Sequence, residues 1–131
     1  MATTPQFIST GVLGAGTSAT AYTTIHGAST GNLVILATGA AGGTRVLEVV
    51  AQCAASSAAA LVNLFITNDG GTTWYLFDQI AITAATQSAT VKANRNSATY
   101  QNLLLTGTNQ KLAFATTIAQ QTNAIALGGD L

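Results

Sequence analysis

Apolar and polar positions alternate with a period of two in several short runs. Arg45–Cys53 sets Leu47, Val49, Ala51 and Cys53 on one side and Val46, Glu48, Val50 and Gln52 on the other, the pattern of a half-buried strand. Val62, Leu64 and Ile66 repeat it, as do Leu112, Phe114, Thr116 and Ile118, and then Ile125 with Leu127. Leu33–Leu36 and Leu103–Leu105 are unbroken apolar runs, which predict strands covered on both faces. Turn residues fall between these runs, at Gly39–Gly43, Asn68–Gly71, Asn94–Ser97 and Gly107–Gln110. Ala54–Ala60 carries good helix formers but is too short and too weakly capped to stand as a helix, so it is a loop. About eight short strands predict an all-β chain, an antiparallel β-sandwich that is jelly-roll-like.

On the strand after Gly71, Tyr75 and Phe77 fall opposite Trp74, Leu76, Ile80 and Ile82 if no bulge intervenes. Both faces are then apolar, more than an isolated two-layer fold needs, and the surplus points to a partner. The chain start is different again. Residues 1–17 are Gly, Thr, Ser and Ala around Phe7, Ile8, Val12 and Leu13, too little apolar surface to fold alone and no charge to solvate a free tail. They are expected to be an extended N-terminal assembly arm that orders against a partner, ahead of a β-sandwich domain over 18–131. Gly11-x-x-Gly14-x-Gly16 and the glycines at 39–43 have neither a P-loop lysine nor a following helix, and predict turns.

Composition sharpens the picture of assembly. The chain has 131 residues, of which 48% are hydrophobic and only 6% charged, with four basic side chains balancing four acidic ones. Average soluble domains are roughly a quarter charged, so part of this surface is expected to meet other protein rather than water. Arg45, Lys92, Arg95 and Lys111 are scattered and matched by carboxylates, which argues against nucleic acid. Cys53 and His26 are the only Cys and His, too few for a disulfide or a zinc site, so no metal and no cofactor is expected. The uncharged stretch Val49–Asn68 is interrupted by Gln52, Ser56, Ser57 and Asn63 and falls short of the roughly 20 apolar residues of a spanning helix. No membrane association is expected. The opening Met-Ala-Thr-Thr-Pro lacks the basic start of a signal peptide, so the protein is expected to stay in the compartment where it is made.

The sharpest motif is Thr67-Asn68-Asp69-Gly70-Gly71-Thr72-Thr73-Trp74. It resembles the Asp-box hairpin of sialidases, [S/T]-x-D-x-G-x-T-W. Asp69 is expected to accept backbone N–H groups inside the turn, Gly70 and Gly71 to supply positive φ, and Trp74 to pack beneath the hairpin. A smaller share is left to Trp74 as an exposed sugar-stacking platform. In sialidases the box lies away from the catalytic centre, and two arginines cannot supply the arginine cluster of that centre. His26 has neither a nucleophile nor an orienting acid in its pattern, Cys53 sits on an apolar face, and Asp78 has no carboxylate partner. Asp78 is expected at a bulge or facing outward. No catalytic residue is assigned.

Gly42-Gly43-Thr44-Arg45-Val46-Leu47-Glu48-Val49-Val50, a small-residue loop, then Leu61–Gly70 and Trp74–Ile80, and a closing Ala126-Leu127-Gly128-Gly129-Asp130-Leu131 together resemble a group of small virion proteins of tailed bacteriophages. The resemblance covers roughly residues 40–131. It implies a non-enzymatic capsid decoration (cement) protein: a β-sandwich, often a homotrimer, on the capsid exterior, whose partners are the major capsid protein or other virion proteins. Such a protein is made in the host cytoplasm. The residues expected at the assembly interface are Phe7, Ile8, Val12, Leu13, Tyr75 and Phe77. The alternative is a tail, fibre or baseplate β-domain contacting a host glycan or another virion protein through an exposed Trp74 or Tyr75. An enzyme of the glycosidase kind lacks its paired carboxylates.

Overall fold

Alternation at period two becomes eight strands in the computed structural model, which describes residues 11–21 and 33–130. In chain order they are β1 (Gly11–Ser18), β2 (Val34–Thr38), β3 (Thr44–Cys53), β4 (Ala60–Thr67), β5 (Tyr75–Ile82), β6 (Arg95–Leu105), β7 (Lys111–Thr116) and β8 (Thr122–Asp130). No helix occurs among the described residues. The strands make two antiparallel sheets of four, ordered β1-β8-β3-β6 and β2-β7-β4-β5. Four pairings are nested in sequence: β4 with β5, β3 with β6, β2 with β7, and β1 with β8. Two more, β3 with β8 and β4 with β7, complete the sheets. In this order β1 and β2 are edges on one side of the molecule, and β5 and β6 are edges on the other.

One apolar core draws on both sheets: Val46 and Val49 of β3, Leu103 and Leu105 of β6 and Ala124 and Ala126 of β8 meet Leu36, Val62, Leu64, Ile80, Leu112 and Phe114 of the facing sheet. Many of these side chains are small, and burial of their apolar area supplies the main driving force at about 25 cal/mol per Å². Along β4 the alternate residue Phe65 leaves this core and joins Trp74, Ala113 and Ala115 in a second cluster on the opposite face of its sheet. Cys53 is a buried free thiol, as its apolar face predicts.

Bulges change several faces read from strict alternation. On β3 the register with β8 shifts at Leu47, so Val46 turns inward with Val49, Ala51 and Cys53 instead of outward with Glu48. The apolar runs at 33–36 and 103–105 do not have both faces covered. They belong to edge strands, where Ile35 and Leu104 stand exposed. The turn expected at Asn94–Ser97 ends sooner, because β6 already begins at Arg95.

The largest correction concerns the arm. Residues 11–17 are not free: they form most of β1, paired with β8 from Gly11↔Gly128 to Ser18↔Thr122. The boundary expected between 17 and 18 therefore falls inside a strand. Gly14 and Gly16 are strand residues rather than turns, and the reason is steric. A Cβ on Gly14 would overlap the Leu36 carbonyl, and one on Gly16 would run into Val34, so the missing side chains let β1 pack closely on β2. Phe7 and Ile8, with the rest of 1–10, lie outside the described residues.

The two ends of the stretch that carries the virion-protein resemblance meet in this fold. Thr44 pairs with Asp130, Arg45 with Gly129 and Val46 with Gly128. The Thr44 hydroxyl donates to Asp130 Oδ1 at 2.6 Å and accepts from the Ala40 N–H at 2.9 Å. A Cβ on Gly128 would overlap the Arg45 carbonyl. The Gly-Gly-Asp ending is thus strand, and its glycine admits the backbone of β3.

Candidate functional site: the β5–β6 side

The hairpin between β4 and β5 is built on one carboxylate. Asp69 Oδ1 accepts the N–H groups of Thr72 and Thr73, each at 3.0 Å. The Thr67 hydroxyl lies 2.7 Å from both Asp69 Oδ1 and the Thr73 carbonyl, and it accepts from the Gly71 N–H. Gly70 and Gly71 hold φ of 81° and 112°, the left-handed region that glycine enters without strain. Donation from Thr73, then from Thr67, holds the Asp69 carboxyl at about 2, below the ordinary carboxylate range. The turn is pinned to its neighbour by the Gly70 N–H, which donates to the Asn109 carbonyl.

Trp74 closes the hairpin and is 1% exposed, packed with Phe65. It anchors the turn, and a sugar has no access to its ring. Tyr75 is different, at 54% exposed, and Phe77 is 39% exposed. The strand between them is not regular. Leu64 pairs with Asp78 and Phe65 with Leu76, so Phe77 is the extra residue of a bulge. The faces expected for a straight strand are therefore exchanged: Trp74 and Leu76 lie with the outer cluster, whereas Ile80 and Ile82 enter the main core.

Across from β5, the edge strand β6 bulges further. Val46 pairs with Leu103 and Glu48 with Thr99, so Tyr100, Gln101 and Asn102 together stand opposite Leu47. Arg45 Nη2 donates to the Gln101 carbonyl at 2.8 Å and braces this bulge. The Tyr100 ring tilts against Phe77 at 5.2 Å between centroids, and its hydroxyl donates to Asp78 Oδ2 at 2.8 Å. Burial, reinforced by the Asp78 hydrogen bond and charge, pushes the Tyr100 hydroxyl well above its ordinary range, so it stays a donor.

Three adjoining recesses make a furrow along this side. One of about 230 Å³ lies between Tyr75, Leu104, Asn68 and Gln110. The next, about 280 Å³, shares Leu104 with it and runs past Arg45 and Gln101. The third, about 340 Å³, shares Gln101–Leu103 and ends at Phe77, Tyr100 and Thr99. Beyond the furrow, three main-chain groups of the β5 and β6 edges are met by side chains. Asp78 Oδ1 accepts the Gln79 N–H, Asn96 Nδ2 donates to the Ala81 carbonyl, and Asn96 Oδ1 accepts the Ser97 N–H.

Of the residues expected at an interface, Tyr75 and Phe77 come together on this side, while Val12, 68% exposed, and Leu13, packed on the core, belong to β1 on the far side. Phe7, Ile8 and His26 lie outside the described residues. Sequence reasoning missed Tyr100, Leu104 and the β6 bulge. The signal was the polar pair Gln101-Asn102, which interrupts alternation just before an apolar run. Asp78 faces Tyr100 from beside the bulge, and among the described residues no three His, Cys, Asp or Glu side chains gather as metal ligands would. No described helix is long and apolar enough to cross a membrane. The chain matches no protein-family model and no curated protein sequence.

Proposed function

We propose that this chain is a non-enzymatic virion structural protein, a capsid decoration protein that binds and stabilises an assembled capsid as a homo-oligomer, with a trimer as its form. The observation that carries this reading is the β5–β6 side, where Tyr75, Phe77 and Leu104 stand exposed along one furrow. A surface of that kind gains by being covered, and it does so through apolar contact that repeats identically around a symmetric shell. Strand order supports the same reading. Four nested pairs distributed over two sheets support a jelly-roll reading of the chain, an architecture used by viral capsid and lectin domains. An arm over residues 1–10 belongs to this proposal as an assembly element, and the virion exterior as its location.

Mixing the purified protein with undecorated capsids tests it. The expected result is saturable binding and a higher capsid melting temperature. Capsids that neither bind the protein nor gain stability overturn the decoration reading. The tail or fibre alternative, with a host glycan as ligand, keeps Tyr75 as its exposed aromatic and loses Trp74, which is buried. In a glycan array, binding that Tyr75→Ala abolishes favours that alternative instead.

A further inference from the structure

We propose that the outer edge of β1 docks β1 of a second copy of this chain, the two strands pairing antiparallel about a two-fold axis so that two sheets of four become one of eight. β1 ends its sheet, with β8 on one side and no strand on the other. Past an irregularity at Leu13 it runs five residues in step with β8, from Gly14 to Ser18. The main-chain groups of such a strand that turn away from its neighbour are offered outward. Among the described residues no other backbone group takes them up. Val12 and Ala15 are exposed, so the strand lies open.

The other three edges show why the partner strand is β1 itself. An exposed edge is a template for a further strand unless charge, proline, a bulge or a covering group blunts it. β2 is five residues long and slips at Leu36, which leaves it in two-residue pieces. β5 loses step at Phe77, and beyond it Asp78 and Asn96 hold the Gln79 N–H and the Ala81 carbonyl. β6 bulges over Tyr100–Asn102, and Asn96 holds its Ser97 N–H. β1 alone keeps a run of five with none of these devices, for residues 11–18 carry no charge and no proline. Two-fold pairing also asks a strand to face its own side chains. With no charge on β1, no register sets like charges opposite one another, and Gly14, Ala15 and Gly16 keep the facing groups small. The contact is isologous, so it makes a pair by itself and joins neighbouring oligomers where another contact closes a ring. It goes beyond the capsid reading and lies on the side of the molecule away from the β5–β6 furrow.

The test uses the full chain. Hydrogen exchange is followed by mass spectrometry over a concentration series, and the self-association of Ala15→Lys is compared with that of Ala21→Lys, which adds the same charge at an exposed position outside β1. Copies carrying a nitroxide at Ala15→Cys, with the buried Cys53 left in place, report whether two β1 strands meet. Expected are slower exchange over residues 14–18 as copies associate and mutual broadening of the nitroxide spectra. Ala15→Lys should keep the parent's β-sheet circular dichroism and weaken association about tenfold or more, since the two-fold brings two ammonium groups together. Ala21→Lys should associate like the parent. A protein that stays monomeric, exchange over 14–18 that ignores concentration, nitroxides that stay apart in the associated protein, or a folded Ala15→Lys that associates like the parent overturns the inference. The outcome is separable from the virion reading: a protein that binds capsids without this pairing refutes only the pairing, and one that pairs but ignores capsids refutes only the decoration.

Discussion

Asp69 does its work through hydrogen bonds that only its ionised form accepts fully, and this gives the hairpin a pH signature. Its carboxyl titrates at about 2 in the folded chain, against about 3.9 for an unfolded Asp. A lowered folded value stabilises above the unfolded value, and that contribution is lost as pH falls through the folded one. Asp69→Asn is predicted to melt earlier than the parent at pH 7 and to converge with it near pH 2, as read by thermal denaturation across that range. An unchanged melting temperature at pH 7 contradicts this role. Trp74→Ala removes a fully buried ring from the second cluster and is predicted to cost about 3–5 kcal/mol in urea unfolding. Gly128→Ala drives a methyl group into the Arg45 carbonyl, and backbone cannot step aside as a flexible side chain can. A loss of about 1–3 kcal/mol is expected from that crowding.

Elements were legible where side chains alternate and illegible where the backbone breaks step. β3, β4, β7 and β8 follow from period-two runs, and the Asp69 hairpin from its own residues. A bulge adds one residue and reverses every later face, so Leu47 and Phe77 each moved their neighbours to the other side. β1 was read as arm because Gly14 and Gly16 give no hydrophobic signal, yet their lack of a side chain is what seats the strand on β2. Unbroken apolar runs looked doubly covered and proved to be edges, for covering is set by sheet order, which periodicity does not encode. The half of the candidate site on β5 was visible as surplus aromatics. The half on β6 was not, because Tyr100 and Leu104 become neighbours of Tyr75 and Phe77 only where the edges of the two sheets lie side by side. Capping of the edges gives a prediction at this scale. Asp78→Ala frees the Gln79 N–H and the Tyr100 hydroxyl together. It should lower stability by about 1 kcal/mol and raise light scattering on storage as the β5 edge reopens. Stability and scattering equal to the parent's would refute the capping role.

The whole molecule combines a well-filled apolar interior with a surface that has few ionic groups to hold it in water. Four positive and four negative side chains serve 131 residues, and several are already committed within the fold: Arg45 to Gln101, Asp69 to its hairpin, Asp78 to Tyr100 and Asp130 to Thr44. Little charge is left to keep copies apart, while Tyr75, Phe77, Leu104 and Val12 stand open on opposite sides of the sheets. On the proposed reading such a surface is covered by neighbours, and the proposed capsid role follows only if that is so. Sedimentation velocity on the purified full chain over a rising concentration series measures this most directly. The account predicts a shift from monomer to a discrete closed oligomer that hardly responds to added salt, since the contacts are apolar. A single monomeric species persisting to the highest concentration would contradict it.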